Sequence, residues 1–516
     1  MTSSASLRRA VRLSLAAVVA GACVLVPSVA PAAPPSGITL DVLGTYASGG
    51  KWDESAAEIV AFDKLTARLF VVNAEAGTVD GLDASDPSNP VKVGELETPG
   101  ANSVAVSHGL VAVAEAAEEK HLPGSVIFFD ARTLAQTGEV AAGALPDMVT
   151  FTPNGKTVLV ANEGEPEGYE DGQVDPEGSV TVIDVTRGAA RATARTADFS
   201  AFTKEALVAE GVPISGPGAT AAQDLEPEYI AVDKSGHTAY VTLQENNAMA
   251  IVDIRTATVT DIVPLGLKDH SVAGSGLDAS DEDDAINIAQ WPVKGLYMPD
   301  AIAAYTAQGK TFTITANEGD AREYDGWVDE ARIKELDLAS AFENADSLQE
   351  DENLGRLAVV TDSPNVDGVY SELWSYGARS ITSRDASGAL VWDSGDALEQ
   401  MMADFDPGTF NGDVDDDGVL GLDNRSDAKG PEPEGVTTGR IGGHTYAFVG
   451  LERASAIVVF DVTNPTAPVA QGVYRNAGDF GPEGLLFIPA SDSPTHSPLL
   501  VVGNEVSGTT TVWQIS

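Results

Sequence analysis

The sequence predicts an all-β chain folded as a seven-bladed β-propeller, each blade a four-stranded antiparallel sheet. Three observations carry that reading. A hairpin pattern recurs seven times: LFVVNAEAGTVDGLDA from Leu69, LVAVAEAAEE from Leu110 with SVIFFDA from Ser125, TVLVANEGEPEGYEDGQVDPEGSVTVIDV over residues 157–185, AYVTLQENNAMAIVDI from Ala239, TFTITANEGD from Thr311, TYAFVGLERASAIVVFDV from Thr445 and LLVVGNEVSGTTTVWQI from Leu499. Runs rich in β-branched and aromatic residues, separated by Gly, Asn and Asp, read as antiparallel hairpins. Next, a short apolar run precedes each hairpin and another follows most of them, which gives a repeat of about 40 residues with four strands. Finally, the seventh unit stops before its fourth strand, while ITLDVLGTY, residues 38–46, stands ahead of the first unit and can complete it. The ring would then close with strands from both ends.

In chain order, residues 1–33 read as a secretory leader. Arg8, Arg9 and Arg12 precede an apolar stretch over 13–26, and Ala30, Ala32 and Ala33 offer cleavage sites. The single cysteine, Cys23, follows Ala20-Gly21-Ala22, which loosely resembles a lipoprotein cleavage box; the apolar Val24-Leu25-Val26 after it argues against lipidation. After cleavage no cysteine is left for a disulfide or a thiolate site. The expected product is secreted or held in the cell envelope, without a transmembrane segment, since the chain ends VWQIS with no apolar tail. Residues 38–516 form one propeller domain. Its inner strands are read in AAEIVAF at Ala56, ANSVAVS at Ala101, LPDMVTF at Leu145, EPEYIAV at Glu226, MPDAIAA at Met298, PEGVTTG at Pro433 and PEGLLFI at Pro482.

Insertions interrupt the repeat near 191–225, 266–296, 320–377 and 396–430. The first carries a short helix over 202–210. The third carries a helix in DEARIKEL, residues 329–336, and an extra hairpin of RLAVV with ELWSY. Were that hairpin a blade of its own, there would be eight. Seven is preferred, because ARSITSRDASGALVWDSG completes the blade begun by TFTITANEGD.

Lys and Arg number 30 against 78 Asp and Glu, a net charge of −48. Such a surface repels phosphate backbones and anionic lipid, which argues against nucleic-acid partners. The acids are also placed. Each hairpin's first strand ends in a glutamate: Glu75, Glu115, Glu163, Glu245, Glu318, Glu452 and Glu505. In a propeller these ends share a face with the starts of the inner strands, where the sequence has Glu58, Asn102, Asp147, Glu228, Asp300, Glu434 and Glu483. Two acidic rings at one channel mouth would raise each other's pKa unless cations neutralise them. Calcium takes such oxygen ligands, about 6–8 per ion. The expected ligands are Glu163, Glu228, Glu245, Glu318, Glu434, Glu452, Glu483, Glu505, Asp147 and Asp300, with Asn73, Asn162, Asn246, Asn317 and Asn504 as added neutral oxygens. Strand-end glutamates also accept backbone N–H bonds, and Pro-Glu-Gly is ordinary turn chemistry, so repeat architecture alone explains part of the pattern.

A second calcium candidate is Asp413, Asp415 and Asp417 followed by Gly418, the first half of a calcium loop; position 12 would be Asn424 where a glutamate is usual. No HExxH, GxSxG or P-loop occurs. Arg453 and Arg322 fall near the acidic face and would be the groups to hold a phosphate ester beside bound calcium.

ANEGE (161–165), TANEGD (315–320), KGPEPEG (429–435), GLER (450–453), GPEGL (481–485) and NEVSGTTTV (504–512) resemble the choice-of-anchor I family, exported bacterial propellers related to the mesenchyme-specific cell-surface glycoprotein. The resemblance covers residues 38–516. It implies fold and location, not a reaction, and the chain departs from the family by showing no C-terminal anchor. The expected function is a secreted or envelope binding module with a cation-binding channel face, its partner a surface ligand. The alternative is a calcium-dependent phosphoester hydrolase acting on a phosphorylated small molecule.

Overall fold

The computed structural model describes residues 37–516. The leader read in residues 1–33, with Cys23, lies outside the described residues.

Seven four-stranded antiparallel sheets repeat along the chain, each a meander. Sheet one runs Val60–Asp63, Arg68–Asn73, Thr78–Asp83 and Val91–Glu97; sheet two starts at Ala101–Ser107, sheet three at Pro146–Phe151 and sheet four at Pro227–Val232. Sheet five joins Ile302–Ala307 and Lys310–Asn317 to Ser380–Asp385 and Leu390–Asp393 across the long third insertion. Sheet six starts at Pro433–Ile441. Sheet seven takes Pro482–Ile488, Leu499–Asn504 and Thr509–Ile515 from the C-terminal part and Leu40–Ala47 from the N-terminal part. That last pairing is antiparallel, from Leu40 opposite Ile515 to Ala47 opposite Thr509.

The middle strands are apolar on both faces because both are covered. Leu159, Val160 and Ala161 are fully buried, as are Ala447, Phe448 and Val449. Each apolar cluster between sheets bridges two neighbours. Phe70 and Val72 of sheet one meet Val104 and Val113 of sheet two. Tyr446 and Phe448 of sheet six meet Leu500 and Trp513 of sheet seven. Val501 and Val512 of sheet seven meet Leu69 and Val71 of sheet one, which brings the series back to its start. The first strands pack side by side in the same cyclic order. The fold is a β-propeller.

Two expectations about the insertions change. DEARIKEL is not an α-helix: Glu330–Arg332 is a strand and Ile333–Glu335 a single 3-10 turn. Glu330 to Arg332 pair with Val360 to Ala358, and Ile333 is fully buried, so tertiary pairing overrides a helix-forming composition. RLAVV and ELWSY do pair antiparallel, Val359 opposite Ser375, but not as a blade of their own. They contribute Ala358–Val360 and Trp374–Ser375 to a five-stranded sheet with Leu267–Asp269, Lys294–Leu296 and Glu330–Arg332, one of whose pairings is parallel. The helix expected over 202–210 is present as Lys204–Glu210, capped by the Thr203 hydroxyl and ended at left-handed Gly211. The fourth insertion holds a helix not foreseen, Ala397–Phe405.

Candidate functional site

The inner strands start on irregularities in register, and the acids sit in them. The register shifts between Pro146 and Val149, Pro227 and Ile230, Pro433 and Val436, and Pro482 and Leu485. Each gap contains the residue in question: Asp147, Glu228, Glu434 or Glu483. A bulge leaves a residue out of the ladder and re-aims its side chain. The partner ends are tied alongside. The N–H of Glu163 donates to the carbonyl of Leu145, that of Glu452 to Glu432, and that of Glu505 to Gly481. Inner and outer acids thus meet by construction.

The carboxylates gather into three overlapping or separate groups, each with oxygens within 4.8 Å: Glu58, Glu483 and Glu505; Asp300, Glu318 and Glu434; Glu318, Glu432 and Glu452. The first spans two sheets, since Glu58 precedes sheet one and the others belong to sheet seven. The approach needs glycine: a Cβ at Gly503 would stand 1.9 Å from the Glu58 carbonyl oxygen, and one at Gly484 2.5 Å from it.

Burial and mutual repulsion set the charge state. Burial first, then Glu505 and Asp147, push Glu58 up to about 8. Burial pushes Asp147 to about 7, and Glu245 to about 7 against the pull of Arg322. Glu163, Glu228, Asp300, Glu434, Glu452 and Glu483 are raised well above the carboxylate range, by burial and then mainly by neighbouring acids. One buried oxygen each of Glu245, Glu434 and Glu483 has no hydrogen-bond donor.

Around Glu318 and Glu432 the situation is reversed. The Lys429 ammonium lies 2.6 Å from Glu318 and 3.2 Å from Glu432, and Arg425 Nε donates to Glu432 at 2.7 Å. Burial would raise Glu432, but Lys429 and Arg425 outweigh it and hold its pKa below the ordinary value. Arg453 adds a contact of 3.1 Å to Glu452. Lys429, Arg425 and Glu432 are functional candidates that the sequence reading missed. The only signal was the spacing of Lys429 three residues before Glu432 in KGPEPEG.

Other candidates are placed differently. Arg322 is 1 % exposed, sealed between Asp224 and Glu226 at 3.3 Å each, and does not face solvent. Four of the five asparagine oxygens are taken up by hydrogen bonds within the protein: Asn73 accepts from Ala76 N–H, Asn162 from Gly143 N–H, Asn246 from Glu226 N–H and Asn317 from the Thr315 hydroxyl, while Asn504 donates its amide to Thr509. The acidic rings are incomplete. Glu75 accepts from the Lys51 N–H at 2.8 Å, and Glu115 stands opposite Ala101 in a sheet whose inner residue is Asn102. In the loop with Asp413, Asp415 and Asp417, Asp415 accepts from the N–H groups of Asp417 and Val419, and none of the three acids joins a converging group among the described residues.

The sequence profile of the Choice-of-anchor I domain matches residues 58–465. A mesenchyme-specific cell surface glycoprotein of Strongylocentrotus purpuratus is 31 % identical over 295 residues, 50 % of this chain and 37 % of that protein. Gigasin-3a of Magallana gigas is 31 % identical over 190 residues, 33 % of this chain and 67 % of that protein. The chain therefore spans little more than a third of the first of these relatives. Among solved structures, a hydrazine synthase chain of Kuenenia stuttgartiensis aligns over 91 % of this chain and 99 % of its own, at 13 % identity and TM-score 0.48. The Cps50 (Swd1) β-propeller domain of Myceliophteria thermophila aligns over 93 % and 100 %, at 11 % identity and TM-score 0.45.

Proposed function

Because the chain belongs to the choice-of-anchor I family, we propose that it is a surface-binding β-propeller module, its seven sheets the blades of one ring, with a divalent cation held in the channel mouth. Export through the leader at residues 1–33 is part of the same reading. One observation carries the cation: Glu58, Glu483 and Glu505 converge within 4.8 Å, and no lysine or arginine among the described residues pairs with them. Three half-buried carboxylates cannot all ionise side by side without a counter-charge. Hard oxygen ligands in that number suit calcium, with water and neighbouring carbonyls free to complete its shell. Such an ion would join sheet one to sheet seven where the ring closes.

The phosphoester hydrolase reading loses one of its two arginines, since Arg322 is sealed, and rests on Arg453 alone.

The test is a melting curve of purified protein in chelator, in calcium, and in sodium chloride of equal ionic strength. Calcium is expected to raise the melting temperature more than sodium does. A curve indifferent to all three would remove the cation from the channel.

A further inference from the structure

Beside the Glu318–Glu432–Glu452 group lies a cavity of about 520 Å³ whose walls carry Arg332, Arg425, Lys429 and Arg453. The same walls carry Glu165, Asp320, Glu323 and Glu330, so the cavity is balanced in charge where the chain as a whole has 30 basic residues against 78 acids. Screening confines the repulsion of the remaining surface to about 8 Å at physiological ionic strength. An incoming anion therefore responds to the cavity wall more than to the net charge.

Three of the four cations are spoken for. Arg332 donates to the carbonyls of Arg356 and Asp427 and to the Asp427 carboxylate. Arg425 donates to Glu432, and Lys429 to Glu318. Arg453 differs. Its nearest carboxylate oxygens, on Glu452, Glu432 and Asp413, lie at 3.1, 3.7 and 3.7 Å, and none is an acceptor in hydrogen-bond geometry. Its Nε is buried without a partner, while the side chain is 33 % exposed. The acids beneath hold the guanidinium in place by charge and leave its donor fork unused. A planar fork of this kind matches the two oxygens of a phosphoryl or carboxylate group.

We propose that this cavity binds a small polar molecule through an oxyanion group, with Arg453 as the anchor and Lys429 and Arg425 supplying supporting charge. The site is separate from the Glu58–Glu483–Glu505 group and does not require a cation. Asp320, 54 % exposed and 3.6 Å from Lys429, opposes the ligand from the rim.

The experiment is calorimetric titration of the full chain in chelator at physiological ionic strength, with inorganic phosphate, glucose 6-phosphate and glucuronate as probes. At least one probe is expected to bind, and the tighter class identifies phosphoryl or carboxylate as the recognised group. Arg453→Ala should weaken that binding at least tenfold, and Arg453→Lys should restore little of it, because an ammonium lacks the fork. Asp320→Ala, an exposed change that leaves the fold alone, should tighten binding a few-fold. Absence of heat with all three probes overturns the proposal. So does binding unchanged in Arg453→Ala or, should that variant fail to fold, affinity unchanged in Asp320→Ala.

Discussion

Glu318, Glu432 and Glu452 where sheets five and six meet, and Glu58, Glu483 and Glu505 where sheets seven and one meet, occupy related places in one repeated architecture, yet they meet opposite partners. The first group is held by Lys429, Arg425 and Arg453. The second meets no side-chain cation among the described residues. Two of the three cations, Lys429 and Arg425, come from the insertion between sheets five and six. The repeat supplies the carboxylates; a loop grafted onto the repeat decides which of them need an outside ion.

Removing the internal cation should break the contrast most severely. Lys429→Met leaves Glu318 and Glu432 buried without their ammonium, and stripping one partner from a buried pair costs about 3–5 kcal/mol. Chemical denaturation in chelator reads the loss, and added calcium should recover part of it, because the first group then resembles the second. An unaffected midpoint would mean that Lys429 neutralises nothing.

Next in size is the response to calcium. At a hundred times its dissociation constant, an ion that binds only the folded state adds about 2.7 kcal/mol. Glu58→Gln with Glu483→Gln should abolish that increment and leave the metal-free protein no less stable at pH 8, since neither glutamine can ionise beside Glu505. A persisting calcium shift would move the ion to another group, of which Asp300, Glu318 and Glu434 are the nearest in kind.

The pH dependence separates the two groups by sign. Glu58 is raised to about 8, and Asp147 and Glu245 to about 7. The folded protein binds more protons there than the unfolded chain, so these groups' stabilisation is full below their unfolded pKa and is lost as pH rises through 7 to 8. Glu432 runs the other way: its pKa is depressed, so its contribution is present above the ordinary glutamate range and fades in acid. Without metal, the melting temperature should fall between pH 5.5 and 8.5, and saturating calcium should flatten that fall. A metal-free protein more stable at pH 8.5 than at 5.5 contradicts the assignment.

The smallest effect expected on stability is that of Arg453→Ala. One-third exposed and without a true hydrogen bond, Arg453 should cost less than about 1 kcal/mol on removal, against several for Lys429. A loss as large as that of Lys429→Met would make Arg453 part of the structural neutralisation, not a free group.

The blades were legible because each strand's pattern reflects the sheets packed on both its sides, and because the unit returns with the same strand ends. The joining of residues 38–46 to the last hairpin followed from counting strands. The insertions obey no repeat. DEARIKEL reads as helix by composition, and only its pairing with Ala358–Val360 makes it strand. The acids were found because they recur, and for the same reason Glu432 and Glu226, two residues before the recurring position, were passed over. Lys429 reaches Glu318 across 111 positions of sequence, a contact that no local pattern reports. The asparagines recur as faithfully as the glutamates, but their amides turn inward to serve the blade, and periodicity is blind to that direction.

The seam in sheet seven also has a mechanical consequence. Leu40 lies opposite Ile515, and Thr39 and Ser516 exchange backbone hydrogen bonds of 2.8 and 3.0 Å, so the two ends of the described chain leave from one corner. Tension that pulls those ends apart loads the first bond of the ladder alone and peels the strand open rung by rung, as a zipper does. Tension applied through either end singly, against a ligand at the channel mouth, does not open that zipper from its corner and must instead be carried by the sheets. A tether at one end would therefore hold under a load that, shared between both ends, would undo the ring.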